Sequence, residues 1–64
     1  MKFYVLHFDL VKRDDRFYLE GKIENNRTEE YYLDAKDWDD AEIKVRELYP
    51  YLKEKHPGKI IAID

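Results

Sequence analysis

Cysteine is absent from this chain, which excludes disulfides, thiolate zinc sites and cysteine nucleophiles together. Serine and glutamine are absent as well, and threonine occurs once, at Thr28. A serine-based nucleophile is therefore excluded, and Thr28 sits beside a turn. Gly21 and Gly58 are the only glycines, too few for a glycine-rich phosphate loop. His7 and His56 are the only histidines, too few for a histidine-rich metal site. No long hydrophobic run occurs: the apolar start Phe3-Tyr4-Val5-Leu6-His7-Phe8 ends at Asp9, short of a signal h-region or a membrane span. A cytoplasmic protein without a membrane partner is expected. Asn26-Arg27-Thr28 fits a glycosylation sequon, which without an export signal reads as an ordinary turn. A basic excess is lacking too. Twelve Lys+Arg stand against fifteen Asp+Glu, for a formal charge of −3, the wrong sign for a general phosphate binder.

What remains is a chain of 64 residues, 44% apolar and 16% aromatic, with six tyrosines. That is too apolar for a disordered tail and enough for one domain, residues 1–64. A domain of this size buries only about 60% of its unfolded surface. Without disulfides or metal, the remaining support for a marginal core is a partner chain. Lys, Glu and Asp are abundant and the thermolabile amides scarce, a composition typical of proteins from very hot habitats. Charge is uneven: residues 29–42 hold seven acids against Lys36.

The apolar periodicity predicts an order βββαβ. Residues 2–12 form a first strand, with Tyr4, Leu6, Phe8 and Leu10 on one face and Phe3, Val5, His7 and Asp9 on the other. The polar run Lys12–Arg16 is a hairpin turn. The second strand spans residues 16–24, with Phe17, Leu19 and Ile23 inward; Gly21 within it marks a bulge or a close approach. Asn25 and Asn26 make the next turn, and the third strand runs over residues 28–35. Trp38, Ala41, Val45, Leu48, Tyr49 and Leu52 then recur at spacings of three and four as one helical stripe. Asp37 caps this helix, answered by Asp40, and Asp40–Lys44 and Glu42–Arg46 are exposed pairs. Pro50 is expected to kink or end it near Tyr49, with Tyr51–Lys55 resuming as a further turn before Pro57-Gly58 stops it. Lys59–Ile63 is a short apolar strand. The fold class is thus α+β. A three-stranded antiparallel meander carries one helix on one face, and a right-handed crossover delivers a fourth strand parallel to the first, in sheet order 3-2-1-4.

One helix covers one face of such a sheet. The covered face should hold Tyr4, Leu6, Phe8, Leu10, Phe17, Leu19, Ile23, Tyr31 and Leu33. The opposite face should display Phe3, Val5, Tyr18 and Tyr32 beside His7. Exposed apolar patches and bare edges point to a contact surface. Phe3, Val5, His7, Tyr18 and Tyr32 are the expected interface residues, with a symmetric homodimer as the commonest arrangement.

Other clusters have structural explanations. Asp34, Asp37, Asp39, Asp40 and Glu42 lack calcium-loop spacing, and capping accounts for Asp37 and Asp40. Asp9, Glu42 and Asp64 occupy the positions in a βββαβ order where ribonuclease-H-like nucleases carry metal-binding acids. By alternation, however, Asp9 faces away from the helix, and no later ligand follows Asp64. His7 next to Asp9 has no nucleophile to activate. His56 reads as a helix-end cation. No catalytic residue, metal or cofactor is expected. Phe3, His7, Tyr18 and Tyr32 could stack unpaired bases, with Lys2, Arg16, Lys22 and Lys59 as cations, so single-stranded nucleic-acid binding is the rival reading.

The start Met1-Lys2-Phe3-Tyr4-Val5 and the segment Tyr32-Leu33-Asp34-Ala35-Lys36-Asp37-Trp38-Asp39-Asp40-Ala41 resemble small proteins of phages, archaeal viruses and mobile elements, HicB-type antitoxins among them. Over residues 1–50 the resemblance implies a truncated ribonuclease-H-like unit that dimerises and binds a protein partner. The proline- and glycine-containing motif before the helix in that family is missing here, as is its DNA-binding tail, so no functional residue is carried over. The expectation is a non-enzymatic module, a regulator or inhibitor from a virus or mobile element, that binds itself and another protein.

Overall fold

The computed structural model describes residues 4–24 and 27–64. The elements are β1 (Val5–Arg13), β2 (Arg16–Glu24), β3 (Arg27–Leu33), α1 (Trp38–Lys55) and β4 (Ile60–Ile63). They form one four-stranded sheet in the order β3-β2-β1-β4. β2 is antiparallel to both β1 and β3, and β4 is parallel to β1. This is the expected α+β fold. The turn residues Asn25 and Asn26 lie outside the described residues, as does Phe3.

The β1–β2 hairpin closes through Asp14 and Asp15, both at positive φ (50° and 61°), with Arg13 opposite Arg16. Two residues in the left-handed region give the turn a twist that matches the strands it joins, and aspartate tolerates that region better than most residues. The second strand departs from regular pairing between Lys22 and Glu24, not at Gly21. Gly21 is instead the close approach. It lies opposite Phe8, and a Cβ there would stand 2.5 Å from the Phe8 ring.

The core is Leu6, Phe8, Phe17, Leu19, Leu33, Ala41, Val45, Leu52 and Ile61, with Leu10, Ile23, Tyr31, Ala35 and Leu48 packed around it. Three assignments change. Tyr4 is not covered: it precedes β1 at the margin of the sheet and is 63% exposed. Trp38 and Tyr49 are exposed as well, so the buried helical stripe narrows to Ala41, Val45 and Leu52, with Leu48 half-buried beside them. Trp38 still packs edge-on against Phe17, ring centroids 5.0 Å apart. The third strand stops at Leu33, where the Ala35 N–H turns back onto the Leu33 carbonyl at 2.9 Å.

The helix begins as its sequence dictates. Asp37 is the cap and accepts from Asp40 N at 2.8 Å. Asp40 in turn accepts from Lys36 N at 3.1 Å, so its carboxylate is spent on the cap; the helix-surface pairs Asp40–Lys44 and Glu42–Arg46 do not appear among the ion pairs of the described residues. Pro50 does not end the element. The helix runs through it to Lys55, because Leu52 on the following turn is fully buried and holds that turn on the sheet. Gly58, at φ +78°, then redirects the chain into β4. No helix of the described residues is long and apolar enough to cross a membrane.

Two substitutions test this packing. Pro50→Ala restores a backbone donor at an exposed helical position and should stabilise the fold by about 1–3 kcal/mol, raising Tm by several degrees in thermal denaturation. Gly21→Ala should destabilise it by about 1–3 kcal/mol, because the Phe8 ring is completely buried and has nowhere to move. An unchanged Tm for Gly21→Ala would show that the ring position is not constrained.

Candidate binding surface

The strand register arranges the outer face of the sheet in rows. Tyr32, Tyr18 and Val11 stand side by side at one end. Glu30, Glu20 and Asp9 cross the middle. Thr28, Lys22, His7 and Ala62 follow, and Val5 pairs with Ile60 at the far end. Of the expected interface residues, Val5, His7, Tyr18 and Tyr32 share this face, and Phe3 lies outside the described residues. They do not form one patch. A row of three carboxylates separates Tyr18 and Tyr32 from Val5 and His7.

The aromatic end is a built arrangement. Tyr18 and Tyr32 are tilted against each other with centroids 5.7 Å apart, and Tyr32 is 60% exposed. The Arg13 guanidinium lies 4.8 Å from the Tyr18 ring centroid. It donates to Glu20 at 2.8 Å and Glu30 at 2.7 Å, so one cation spans two carboxylates that would otherwise repel across adjacent strands. Those hydrogen bonds also raise the Arg13 pKa. Sequence alternation placed the tyrosines on one face. It could not show Arg13 reaching back across seventeen residues to Glu30.

At the other end, Val5 and Ile60 are 42% and 47% exposed. His7 turns to Asp64, Nδ1 to Oδ2 at 3.5 Å, and not to Asp9. The three acids of the ribonuclease-H-like pattern are divided. Glu42 and Asp64 rim one groove, floored by Leu10, Val45, Tyr49 and Ile63, while Asp9 points out from the opposite face. Among the described residues no three His, Asp or Glu side chains are placed to hold a metal ion.

A constellation that sequence reasoning missed joins β3 to the end of α1. Glu29 accepts from Tyr31 Oη at 2.8 Å and from His56 Nε2 at 2.9 Å, and pairs with Lys55 at 2.8 Å. His56 is the C-cap of α1, at the helix end as expected, and is buried. Its Nε2 must carry a proton, since an ionised carboxylate only accepts. Burial pushes the Glu29 carboxyl up, but hydrogen bonds from Lys55, His56 and Tyr31 and the charge of His56 outweigh that and bring its pKa to about 2. Hydrogen bonds to Glu29 and Tyr31 raise Lys55, while burial and the Glu29 hydrogen bond raise Tyr31. Both carboxylate oxygens of Glu29 are engaged, Oε1 by Tyr31 and His56 and Oε2 by Lys55, which makes the cluster a brace: it fixes the edge strand to the helix end. The signal was weak because the partners lie 26 and 27 residues apart in sequence, and only the βββαβ path brings them together.

Comparison with known proteins gives no match: neither a family model, nor a curated protein, nor a solved structure matches the chain.

The brace predicts an acid limb. A carboxyl whose folded pKa lies below its unfolded value stabilises the fold above the unfolded pKa, and that contribution disappears as pH falls through the folded one. The loss should therefore run between pH 4.5 and about 2. Glu29→Gln removes the ion pair and weakens the His56 bond, and should lower stability near neutrality by about 1–3 kcal/mol while flattening that limb. Urea titrations of both proteins across this range measure it; parallel curves would mean Glu29 does not couple folding to protons.

Proposed function

We propose that the chain is a non-enzymatic binding module, a regulator or inhibitor that occupies a surface of another protein through the outer face of its sheet. The observation that carries this reading is the Tyr18–Tyr32 pair with Arg13 locked beside it. Exposed tyrosine and arginine are the residue types that dominate binding energy at protein interfaces. Here their rotamers are fixed before any partner arrives, so little side-chain freedom is lost on contact. The hairpin Asp14–Asp15 beside them adds two exposed carboxylates, which favour a partner with a basic rim around an apolar pocket.

The rival reading, stacking of unpaired bases on the same tyrosines, has the aromatic platform and one cation beside it, Arg16, which lines the same hollow as Tyr18 and Tyr32. It is favoured less because Arg13 is engaged by Glu20 and Glu30, and the carboxylate row Glu30, Glu20 and Asp9 borders the platform.

The test is retention of cell proteins on the immobilised chain, with nuclease-treated lysate, compared with Tyr32→Glu. A specific protein held by the parent chain and lost at least ~tenfold in Tyr32→Glu, with little dependence on salt, is the expected result; roughly 1.4 kcal/mol or more at a central aromatic contact corresponds to that factor. Titration with a fluorescent oligothymidylate at low salt decides the rival. Tight binding that falls steeply with salt would replace the protein-binding reading.

A further inference from the structure

β4 ends the sheet, and its free side is unguarded. Ile60 donates to Tyr4 O at 2.9 Å and Asp64 to Phe8 O at 2.8 Å, so residues 60, 62 and 64 turn their backbone groups toward β1. In a parallel pair the alternate residues turn theirs away. Ile61 and Ile63 therefore present N–H and C=O groups outward; Lys59, just before the strand, has the same parity, but its N–H donates to His56 O and its C=O accepts from Lys53 Nζ, both at 3.4 Å, so pairing there exchanges two long bonds for new ones. Edge strands usually carry a charge, a proline or a bulge against pairing with another chain. Within Ile60-Ile61-Ala62-Ile63 there is none of these; the charges, Lys59 and Asp64, stand at its two ends.

We propose that this edge pairs antiparallel with β4 of a second copy of the chain, about a two-fold axis through Ile61. The geometry selects the register. A two-fold axis perpendicular to the sheet keeps both helices on one side and sets residues of equal parity opposite each other. Centring on Ile61 pairs all three outward residues, Ile61 with Ile61 and Lys59 with Ile63 twice, for six backbone hydrogen bonds. Centring on Ala62 leaves Lys59 unpaired and makes four. The Ile61 register also matches charge. Lys59 of the second copy comes to lie opposite Ile63 on the helix side, beside the groove where Glu42 and Asp64 outnumber one cation, Arg46, and symmetry makes this pairing twice. On the outer face Ile60 meets Ala62 of the second copy. The exposed Val5–Ile60 ends of both chains then merge into one apolar strip with His7 at its margins. The interface rests on the edge and not on Tyr18 and Tyr32, which lie two and three strands away.

Light scattering of the full chain over a wide concentration range should give twice the 7.9 kDa chain mass. Lys59→Glu should weaken association at least ~tenfold, as like charges placed across an interface do, with an unchanged circular dichroism spectrum. Adding Glu42→Lys to it should restore most of the loss. Because the chain has no cysteine, a disulfide reports register. Ile60 and Ala62 of the two copies form a non-hydrogen-bonded pair, whose side chains are the closer ones, so Ile60→Cys with Ala62→Cys in one chain should oxidise to a covalent dimer. Ala62→Cys alone should not. A monomer at every concentration overturns the proposal, and so does cross-linking by Ala62→Cys alone. Tyr32→Glu should leave the dimer intact. If it abolishes the dimer while Lys59→Glu does not, self-association belongs to the outer face and the edge proposal fails.

Discussion

One helix lies over a four-stranded sheet, and every other property of this molecule follows from that ratio. The helix supplies Ala41, Val45, Leu48 and Leu52 to a core centred on Phe8, Phe17 and Leu19. Nothing among the described residues covers the second face. With no disulfide available, that core must be packed without waste. The Phe8 ring lying directly over Gly21 is the result: the glycine provides the space into which the largest core side chain settles. The Glu29 brace serves the same end from outside, holding β3 against the last helical turn at the place where apolar cover runs out.

Much of this was legible in the sequence because it is local. Strict alternation in Leu6–Leu10 and Phe17–Leu19, the capping pair Asp37 and Asp40, and Pro57-Gly58 after the helix each state their structure within a few residues. The failures were of two kinds. Pro50 has a local rule against it, but Leu52, two residues on, is buried to completion, and tertiary packing overrode the backbone penalty. The Glu29–Lys55–His56–Tyr31 cluster has no local signature at all. Its members belong to two elements that meet only once the crossover is made, and in sequence they read as one more acid in an acidic stretch and one more cation at a helix end.

The candidate surface was legible in the same partial way. Alternation gives the face but not the spacing along it. The register shows Asp9, Glu20 and Glu30 lying between the aromatic end and the Val5 end, so what looks in sequence like one apolar face is two separate patches. Arg13 is the residue that makes the aromatic end coherent, and its role depends on reaching a strand that is not its hydrogen-bonded neighbour.

Two patches separated by charge can serve two purposes at once. In the proposed dimer the Val5–Ile60 ends meet at the two-fold axis, and the tyrosine pairs lie outboard on the second and third strands of each copy. The tyrosine row lies level with Val11, five residues along β1 from Leu6 beside the axis, and the two-fold reverses that offset; at about 4.8 Å per strand and about 3.3 Å per residue, the two tyrosine pairs stand some 40–45 Å apart on the same face of a continuous eight-stranded sheet. Such an assembly presents its contact residues twice, rigidly and with one orientation. A partner that is itself two-fold symmetric would then engage both sites, the second as an effectively intramolecular event. Weak individual contacts of the size that two tyrosines and an arginine provide would suffice for tight binding. Pairing at the β4 edge would thus add valency to contact residues that each chain already holds in place.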